Sequence, residues 1–250
     1  MHLDERVRAR LATATRFGTI EVVAVTDSTN RVVAERAAAG APEGLVVAAD
    51  LQTAGRGRLD RTWEAAPGMA LLVSVLLRPD GLPASRRHLV TAAAGLAARQ
   101  ACTTVAGVTP ELKWPNDLLL GGAKLAGILA EASGSAVVVG MGCNVHGAPP
   151  EAIHLDRAAG HRIGRGDLLA AWLTALDGLL GRWDEVAARY GATCATVGRR
   201  VTVDAGGTRL AGRVEGIDAD GRLVVRTDDG LAVPVAAGDV THLRPSAGEA

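Results

Sequence analysis

Four short apolar stretches follow one another directly between residues 111 and 145. They read ELKW, DLLL, AKLAGILAEA and AVVVGMGCNV, and Gly121-Gly122 and Ser133-Gly134 supply hairpin turns between them. The earlier strand candidates are EVVAVT (21–26), LVVAADLQ (45–52) and MALLVSVLLRP (69–79). These are separated by a helical pattern or a long loop. Directly connected strands beside separated ones predict an α+β fold, in which helices pack on a mixed central sheet.

Helical spacing of apolar residues marks the helices. One covers residues 5–16, and a second follows the capping residues of TDSTN and ends near Ala39. A third covers 85–102, and a strongly amphipathic pattern predicts one continuous helix over 166–190.

The character of the chain changes after about Ala195. Short strands such as VTVDAGG and RLVVRT alternate with turns at Asp220-Gly221 and Asp229-Gly230. We therefore expect two domains, a larger one over residues 1–194 and a small all-β module, a compact barrel, over 195–250.

Composition excludes several classes of protein. The formal net charge is zero, so broad attraction to nucleic acid or to an anionic membrane is not indicated. Three widely spaced cysteines argue against a disulfide framework. The charged N-terminus is no signal peptide, and no stretch is apolar enough to span a membrane. The expectation is a soluble cytoplasmic protein.

Both lysines of the chain lie in the segment KWPNDLLLGGAKLAGIL, although Lys and Arg together number 27. Lys provides a compact charge on a flexible stem, whereas Arg provides a planar fork. Lys124 follows a glycine pair within an apolar strand, where an ammonium is costly unless a charged partner arrives. An anionic substrate is a natural partner, and Lys124 is therefore the first catalytic candidate.

A second candidate is the loop GRGRLDR (55–61), which combines glycines with three arginines. Glycine allows close approach of the backbone to a ligand, and Arg provides forked donors to carboxylate or phosphate. The alternative is a solvated basic loop. Trp63, which follows, could cover a ring or seal a pocket.

Two polar segments at strand ends are weaker candidates. Asn116 and Asp117 follow Pro115, where they could hold phosphates or a hydrated Mg²⁺, or form an ordinary turn. GMGCN (140–144) lacks the remaining residues of a dinucleotide fingerprint but is compatible with a nucleotide lying against bare backbone. His146, His154 and His161 show no zinc spacing and are interpreted as loop or surface residues.

Taken in order, TDSTN, LQTAGRGRLDRTW, LKWPNDLLLGGAKLAGILAE and VVVGMGCNV resemble the biotin–protein ligases, also called biotin–[acetyl-CoA-carboxylase] ligases. The resemblance spans about residues 20–145. It implies a class II aminoacyl-tRNA synthetase-like catalytic core followed by an SH3-like β-barrel. It also implies an ATP- and Mg²⁺-dependent, AMP-forming ligase. Biotin is activated to biotinyl-5′-AMP and is then transferred to a lysine of a biotin carboxyl carrier domain.

The same resemblance assigns the site residues. Lys124 and Arg58 are the implied catalytic residues. The implied biotin site comprises Ser28, Thr29, Asn30, Gln52, Gly55, Arg56, Gly57, Arg58, Lys124 and Gly127. The implied ATP and adenylate site comprises Arg56, Arg58, Arg61, Trp63, Lys113, Asn116 and Asn144. Asn116 and Asp117 are the implied Mg²⁺ residues, acting through phosphates.

The chain departs from the family pattern in two places. The family loop commonly has Gly where Asp60 stands. Only about 20 residues precede the first strand, which leaves no room for the helix-turn-helix of family members that repress a biotin operon. We therefore expect a monofunctional ligase that binds neither nucleic acid nor membrane, as a monomer or a ligand-dependent homodimer.

Two alternatives remain open at this point. A lipoate–protein ligase shares the fold and the adenylation chemistry, although the GRGR loop and KWPND favour biotin. A non-catalytic binding module, with the β-module docking a partner, would make the loop arginines and the lysines incidental.

Overall fold

The computed structural model describes residues 5–205, 207–236 and 238–242. The helices are α1 (Glu5–Ala14), α2 (Thr29–Ala38), α3 (Leu89–Ala106), α4 (Leu155–Ala159), α5 (Arg165–Asp177) and α6 (Trp183–Thr193). The strands of the larger sheet are β1 (Thr19–Thr26), β2 (Leu45–Gln52), β3 (Ala70–Leu77), β4 (Glu111–Lys113), β5 (Asp117–Leu120), β6 (Ala123–Ser133) and β7 (Ala136–Asn144). The strands of the smaller sheet are β8 (Arg200–Ala205), β9 (Thr208–Ile217), β10 (Leu223–Arg226), β11 (Ala232–Val235) and β12 (Asp239–His242).

The seven-stranded sheet has the order β1-β2-β3-β7-β6-β5-β4. β1 and β2 are parallel, and every other neighbouring pair is antiparallel. The mixed sheet predicted from the sequence is confirmed. The hairpins at Gly121-Gly122 and Ser133-Gly134 are also confirmed, because β5 pairs with β6 and β6 pairs with β7.

Helices cover both faces of this sheet. On β2, Val46 and Ala48 point into the main core with α3, whereas Leu45 and Val47 point into a second cluster with α2. β3 is buried along its whole length, which matches its apolar sequence. The first residues of α2 lie beside the middle of β6 and β7, where Gly140 approaches Asn30. This is the face on which the functional candidates meet.

The helix predicted over 166–190 is wrong as one continuous helix. α5 ends at Asp177 and α6 begins at Trp183, with an irregular segment between them. Gly178 and Gly181 flank the break, and Gly181 has a φ of +87°, a conformation that side-chain-bearing residues rarely adopt. Leu176 near the end of α5 and Leu179 within the break both remain buried, so the apolar spacing continues where the helix does not.

The C-terminal strands form a separate five-stranded antiparallel sheet of order β11-β10-β9-β8-β12. The predicted all-β character of the C-terminal part of the chain is thus confirmed as an antiparallel sheet. This part meets the rest of the chain where Ala195 N–H donates to Leu112 O at 2.8 Å, and where Gly191 of α6 faces Ile217 of β9. No described helix is long and apolar enough to cross a membrane.

Candidate active site

The floor of the site is a bare patch of sheet made by glycines. Gly127 of β6 lies directly opposite Gly142 of β7, and Gly140 lies opposite Leu129. A Cβ at Gly142 would overlap the indole ring of Trp63, and a Cβ at Gly140 would overlap the Asn30 side-chain amide. These glycines are therefore required for groups from the loop and from α2 to lie against the sheet.

Trp63 covers this floor. Its indole lies against Gly142 and Gly127, and the Lys124 Nζ lies 5.7 Å from the centre of the ring. The indole Nε1 is buried and donates no hydrogen bond within the described part of the chain. The remaining cavity is about 120 Å³, whereas small-molecule sites typically measure roughly 300–1,000 Å³. The indole thus takes up space that a ligand would need.

A hydrogen-bonded network surrounds the N-terminus of α2. The Thr29 N–H donates to Gln52 Oε1 at 2.7 Å, and the Thr29 hydroxyl lies 2.9 Å from the same oxygen. Asn30 Nδ2 donates to Glu131 Oε2 at 2.6 Å and to Leu129 O at 3.3 Å. Ser28 is the N-cap residue but its hydroxyl makes no capping bond, although its side chain lines the cavity. The network holds polar groups of three elements at one end of the cavity.

The arginine loop is a short hairpin. Arg56 and Thr62 form an isolated β-bridge, and Arg61 N–H donates to Arg58 O at 3.2 Å across the tip. Leu59 and Asp60 at the tip both have positive φ, 53° and 57°. These are the features of a type I′ turn, whose second central position favours glycine. The departure at Asp60 therefore falls where a glycine would relieve backbone strain.

Carboxylates bind three of the cations that line the cavity. Arg56 Nη2 lies 2.9 Å from Glu131 Oε2, Arg61 forms an ion pair with Asp239, and Lys124 Nζ lies 2.7 Å from Asp117 Oδ1. The Lys124 contact is an ion pair whose geometry is not that of a hydrogen bond. Arg58 and Lys113 bring the cations of the cavity to five.

Arg58 differs from the other cations. Its Nη2 donates to the backbone carbonyl of Gly238 at 3.1 Å, and within the described residues it forms no ion pair. Burial lowers the pKa of this guanidinium from its ordinary value, since an apolar environment disfavours the charged form. The hydrogen bond from Arg61 to Asp239 instead raises the pKa of Arg61. Arg58 is thus the cation that an anionic ligand would stabilise most.

The cavity brings together most of the residues predicted from the sequence. Those that line it are Ser28, Thr29, Asn30, Gln52, Arg56, Gly57, Arg58, Arg61, Trp63, Lys113, Asn116, Asp117, Lys124 and Gly127. Gly55 is a neighbour of this cavity, where its bare Cα allows the Trp63 carbonyl to approach. Asn144 lies in an adjoining groove with Glu64 and Met69, and its Nδ2 donates to Ile153 O at 3.2 Å.

Three residues of the site were not identified from the sequence. Ser74, Glu131 and Asp239 bind the groups named above. Gly140 belongs to the predicted bare backbone of GMGCN, and it makes room for Asn30 rather than for a nucleotide. Ser74 carried a signal, because it is the one polar residue within the apolar run ALLVSVLL. Asp239 carried no sequence signal, since it lies 178 positions beyond its partner Arg61.

His146 lies in the loop between β7 and α4, in line with its interpretation as a loop or surface residue, but it is not at the surface. Its side chain is 7% exposed, and its Nδ1 lies 2.8 Å from Asp156 Oδ2. Burial alone would raise the pKa of Asp156, but hydrogen bonds from the Ile163 amide and from His146 lower it below its ordinary value. His154 caps α4, where its Nδ1 accepts a hydrogen bond from the Arg157 N–H.

Comparison with known proteins gives the class to which this fold and site belong. The sequence model of the "Biotin/lipoate A/B protein ligase family" matches residues 22–147, and that of the "Biotin protein ligase C terminal domain" matches residues 196–243. The chain belongs to the biotin/lipoate A/B protein ligase family.

Particular relatives within that family narrow the comparison. A "Biotin--[acetyl-CoA-carboxylase] ligase" of Mycobacterium tuberculosis is 39% identical over 97% of this chain and 96% of its own length. A protein of the same name from Paracoccus denitrificans is 35% identical over 86% of this chain and 98% of its own length. A biotin protein ligase from Aquifex aeolicus, solved in complex with biotin and ATP, superposes with a TM-score of 0.80. It is 26% identical, and the match covers 91% of this chain and all of that one.

Proposed function

We propose that the chain is a biotin–protein ligase, an ATP-dependent, AMP-forming enzyme. The observation that carries this proposal is the meeting of five cations above a glycine floor, next to a cluster of neutral polar groups. Biotin has the matching chemistry, with an anionic carboxylate at one end and a neutral cyclic urea at the other. The names of the relatives and the biotin and ATP bound in the Aquifex aeolicus structure support the same substrates.

The first step joins two anions. A carboxylate oxygen of biotin attacks the α-phosphorus of ATP, forming biotinyl-5′-AMP as the bond to pyrophosphate breaks. Repulsion between the two anions and the charge of the transition state are the main obstacles, so preorganised cations are the main catalytic requirement. Lys124 would contact both the carboxylate and the α-phosphate, and Arg58 would stabilise the same charge.

The second step releases AMP. A lysine amine of a biotin carboxyl carrier domain attacks the acyl carbon of the adenylate, and the bond between that carbon and the phosphate oxygen breaks. The biotinyl-AMP is labile to water, so the loop over 55–66 is expected to order on ligand binding and exclude solvent. The present partners of its arginines, Glu131 and Asp239, would then be exchanged for ligand oxygens.

The assignment of the biotin site follows the same chemistry. Ser28, Thr29 and Gln52 would bind the urea, with Asn30 holding the edge of the network. Gly55, Gly57 and Gly127 would allow close approach to the ligand. Arg56 and Arg58 would bridge biotin and adenylate.

The ATP side would use Arg61, Trp63, Lys113, Asn116 and Asn144. Asn144 and Met69 share the groove that adjoins the cavity, which gives a nucleotide room to continue beyond Lys124. Mg²⁺ would be held through the phosphates, next to Asn116 and Asp117. One carboxylate and one amide oxygen suit this ion, which keeps several waters and is usually bound through substrate phosphates.

The organisation of the chain is part of the proposal. We place the domain boundary between residues 194 and 195, which is supported by the two separate sheets and by the family match over 196–243. The proposed architecture is a class II aminoacyl-tRNA synthetase-like catalytic core followed by an SH3-like β-module. We also propose a cytoplasmic location and a monomer or ligand-dependent homodimer. The ion pair between Arg61 and Asp239 suggests that the β-module helps to hold the loop.

One assay tests the proposed function against its alternatives. The purified protein is incubated with ATP, Mg²⁺, a biotin carboxyl carrier domain and either biotin or lipoate. We expect biotin-dependent release of AMP and a mass increase of the carrier. Lipoate transfer would identify a lipoate–protein ligase, and transfer of neither would favour a binding module. The lipoate alternative is not favoured, because the relatives that cover nearly the whole chain are biotin ligases.

A further inference from the structure

Ser74 is a buried hydroxyl beneath the site. It lies in the middle of β3, has no exposed surface, and is the only polar residue of a strand that is buried throughout. Its Oγ lies 2.7 Å from Thr29 Oγ and 2.6 Å from Asn30 Oδ1. A buried polar group persists in an apolar strand when its hydrogen bonds are made, and here both partners belong to the proposed urea end of the site.

The donor and acceptor of each of these hydrogen bonds follow from the groups around Asn30 and Ser74. Asn30 Nδ2 faces a carboxylate and a carbonyl, so Asn30 Oδ1 is the atom that faces Ser74. A carbonyl oxygen has no proton, and the single Ser74 proton is therefore required there. Towards Thr29, Ser74 Oγ can then act only as an acceptor.

The Thr29 proton is used inside the protein in either arrangement. Its two possible acceptors are Ser74 Oγ and Gln52 Oε1, both within 2.9 Å. Thr29 consequently offers only oxygen lone pairs to the cavity. Gln52 Oε1 is directed at Thr29, where it lies within hydrogen-bond distance of both the N–H and the hydroxyl, so the group that Gln52 offers to a ligand is its Nε2 donor. The site thus presents an acceptor next to a donor, which is the complement of a cyclic urea with its N–H and C=O groups.

We propose that Ser74 is a positioning residue for urea recognition. It holds the Thr29 hydroxyl and the Asn30 side-chain amide in place, and Asn30 in turn reaches the loop through Glu131 and Arg56. Ser74 does not contact the ligand itself. The inference rests on the proposed binding of biotin, and it adds that the ureido N–H donates to Thr29.

The test compares the affinities of two ligands for the wild-type protein and for Ser74→Ala, by titration calorimetry. The ligands are biotin and a biotin analogue methylated on both ureido nitrogens. Loss of the hydroxyl leaves a buried acceptor unsatisfied, and we expect biotin affinity to fall about tenfold. Affinity for the methylated analogue is expected to change less than about twofold, because that ligand has no N–H to donate.

Leu76→Val is the matched control. Leu76 is buried on the same face of β3, two residues further on, and it packs against α2 without making a hydrogen bond to the site. An equal loss of biotin affinity in Leu76→Val, or equal losses for both ligands in Ser74→Ala, would mean general loosening and would overturn the proposal. Biotin binding by Ser74→Ala within twofold of wild type would overturn it as well.

A second variant covers the case in which Ser74→Ala does not fold. Ser74→Cys keeps the volume but has a weaker donor, and it is expected to bind biotin less tightly than wild type. Binding as tight as that of wild type would refute the role of Ser74. A wild-type protein that binds no biotin refutes the proposed function itself, which separates the two failures.

Discussion

Removal of the Lys124 ammonium is expected to abolish most of the adenylation activity while leaving the fold intact. The Lys124 side chain is 43% exposed, and its partner Asp117 is 22% exposed. An ion pair so open to solvent contributes about 0–1 kcal/mol to stability. The cation over the Trp63 ring, at 5.7 Å, adds about 0.5–1 kcal/mol at an exposed site. The Tm of Lys124→Ala should therefore fall by only a few degrees, on the order of 2–4 °C per kcal/mol.

The effect on catalysis should be much larger. A unit charge about 4 Å from a developing charge, at an effective dielectric constant of about 20, is worth about 4 kcal/mol. Loss of one preorganised stabilising group typically costs about 10²–10³ in kcat. Pyrophosphate release from ATP in the presence of biotin measures this step without the carrier domain. We expect Lys124→Ala to lose at least about a hundredfold in this assay.

The chain offers a matched control for Lys124→Ala. Lys113 lines the same cavity and is the only other lysine, so Lys113→Ala removes the same charge from the same site. The loss of adenylation activity in Lys113→Ala is expected to be smaller, under about tenfold. If Lys124→Ala keeps more than a tenth of wild-type adenylation, or if both variants lose activity equally, Lys124 does not have the assigned role.

Three further changes test other parts of the site. Gly142→Ala places a methyl group in the indole of Trp63, so tryptophan emission should shift and biotin affinity should change, whereas Gly216→Ala, with open space around it, should have no effect. Asp239→Asn removes the carboxylate that binds the loop, and we expect faster tryptic cleavage at the loop arginines with a Tm close to that of wild type. Asp156→Asn tests the lowered pKa of that carboxyl, because an ionised Asp156 stabilises the fold above its ordinary pKa of 3.8 and this contribution is lost as the pH falls through the lower folded value. The Tm of the variant should therefore fall less than that of wild type below about pH 4; parallel curves would refute the pairing.

Much of the fold could be predicted because local sequence determines it. Glycine pairs force the β5–β6 hairpin, and unbroken apolar runs identify β3 and β7. The break between α5 and α6 escaped prediction because Leu179, within it, keeps the helical spacing from the buried Leu176. Backbone conformation at Gly181, which no apolar pattern reports, decides that the helix stops.

The site was predictable to the extent that its residues are unusual in their own segments. Two lysines in an arginine-rich chain and arginines between glycines stand out in the sequence. Their protein partners do not stand out, because Glu131 and Asp239 are ordinary surface-type residues on strands that meet the loop only in three dimensions. The hydrogen bonds of Ser74 likewise depend on two elements, β3 and α2, whose contacting residues are 44 and 45 positions apart.

The restriction of lysine to one cavity has a practical consequence. Lys113 and Lys124 are the only side-chain amines in the chain, and both line the same site. Reagents that acylate amines, which label most proteins indiscriminately, should here modify little besides the α-amino group and this cavity. Occupancy of the site could then be followed by the protection of two lysines from an ordinary labelling reagent, read by peptide mass mapping.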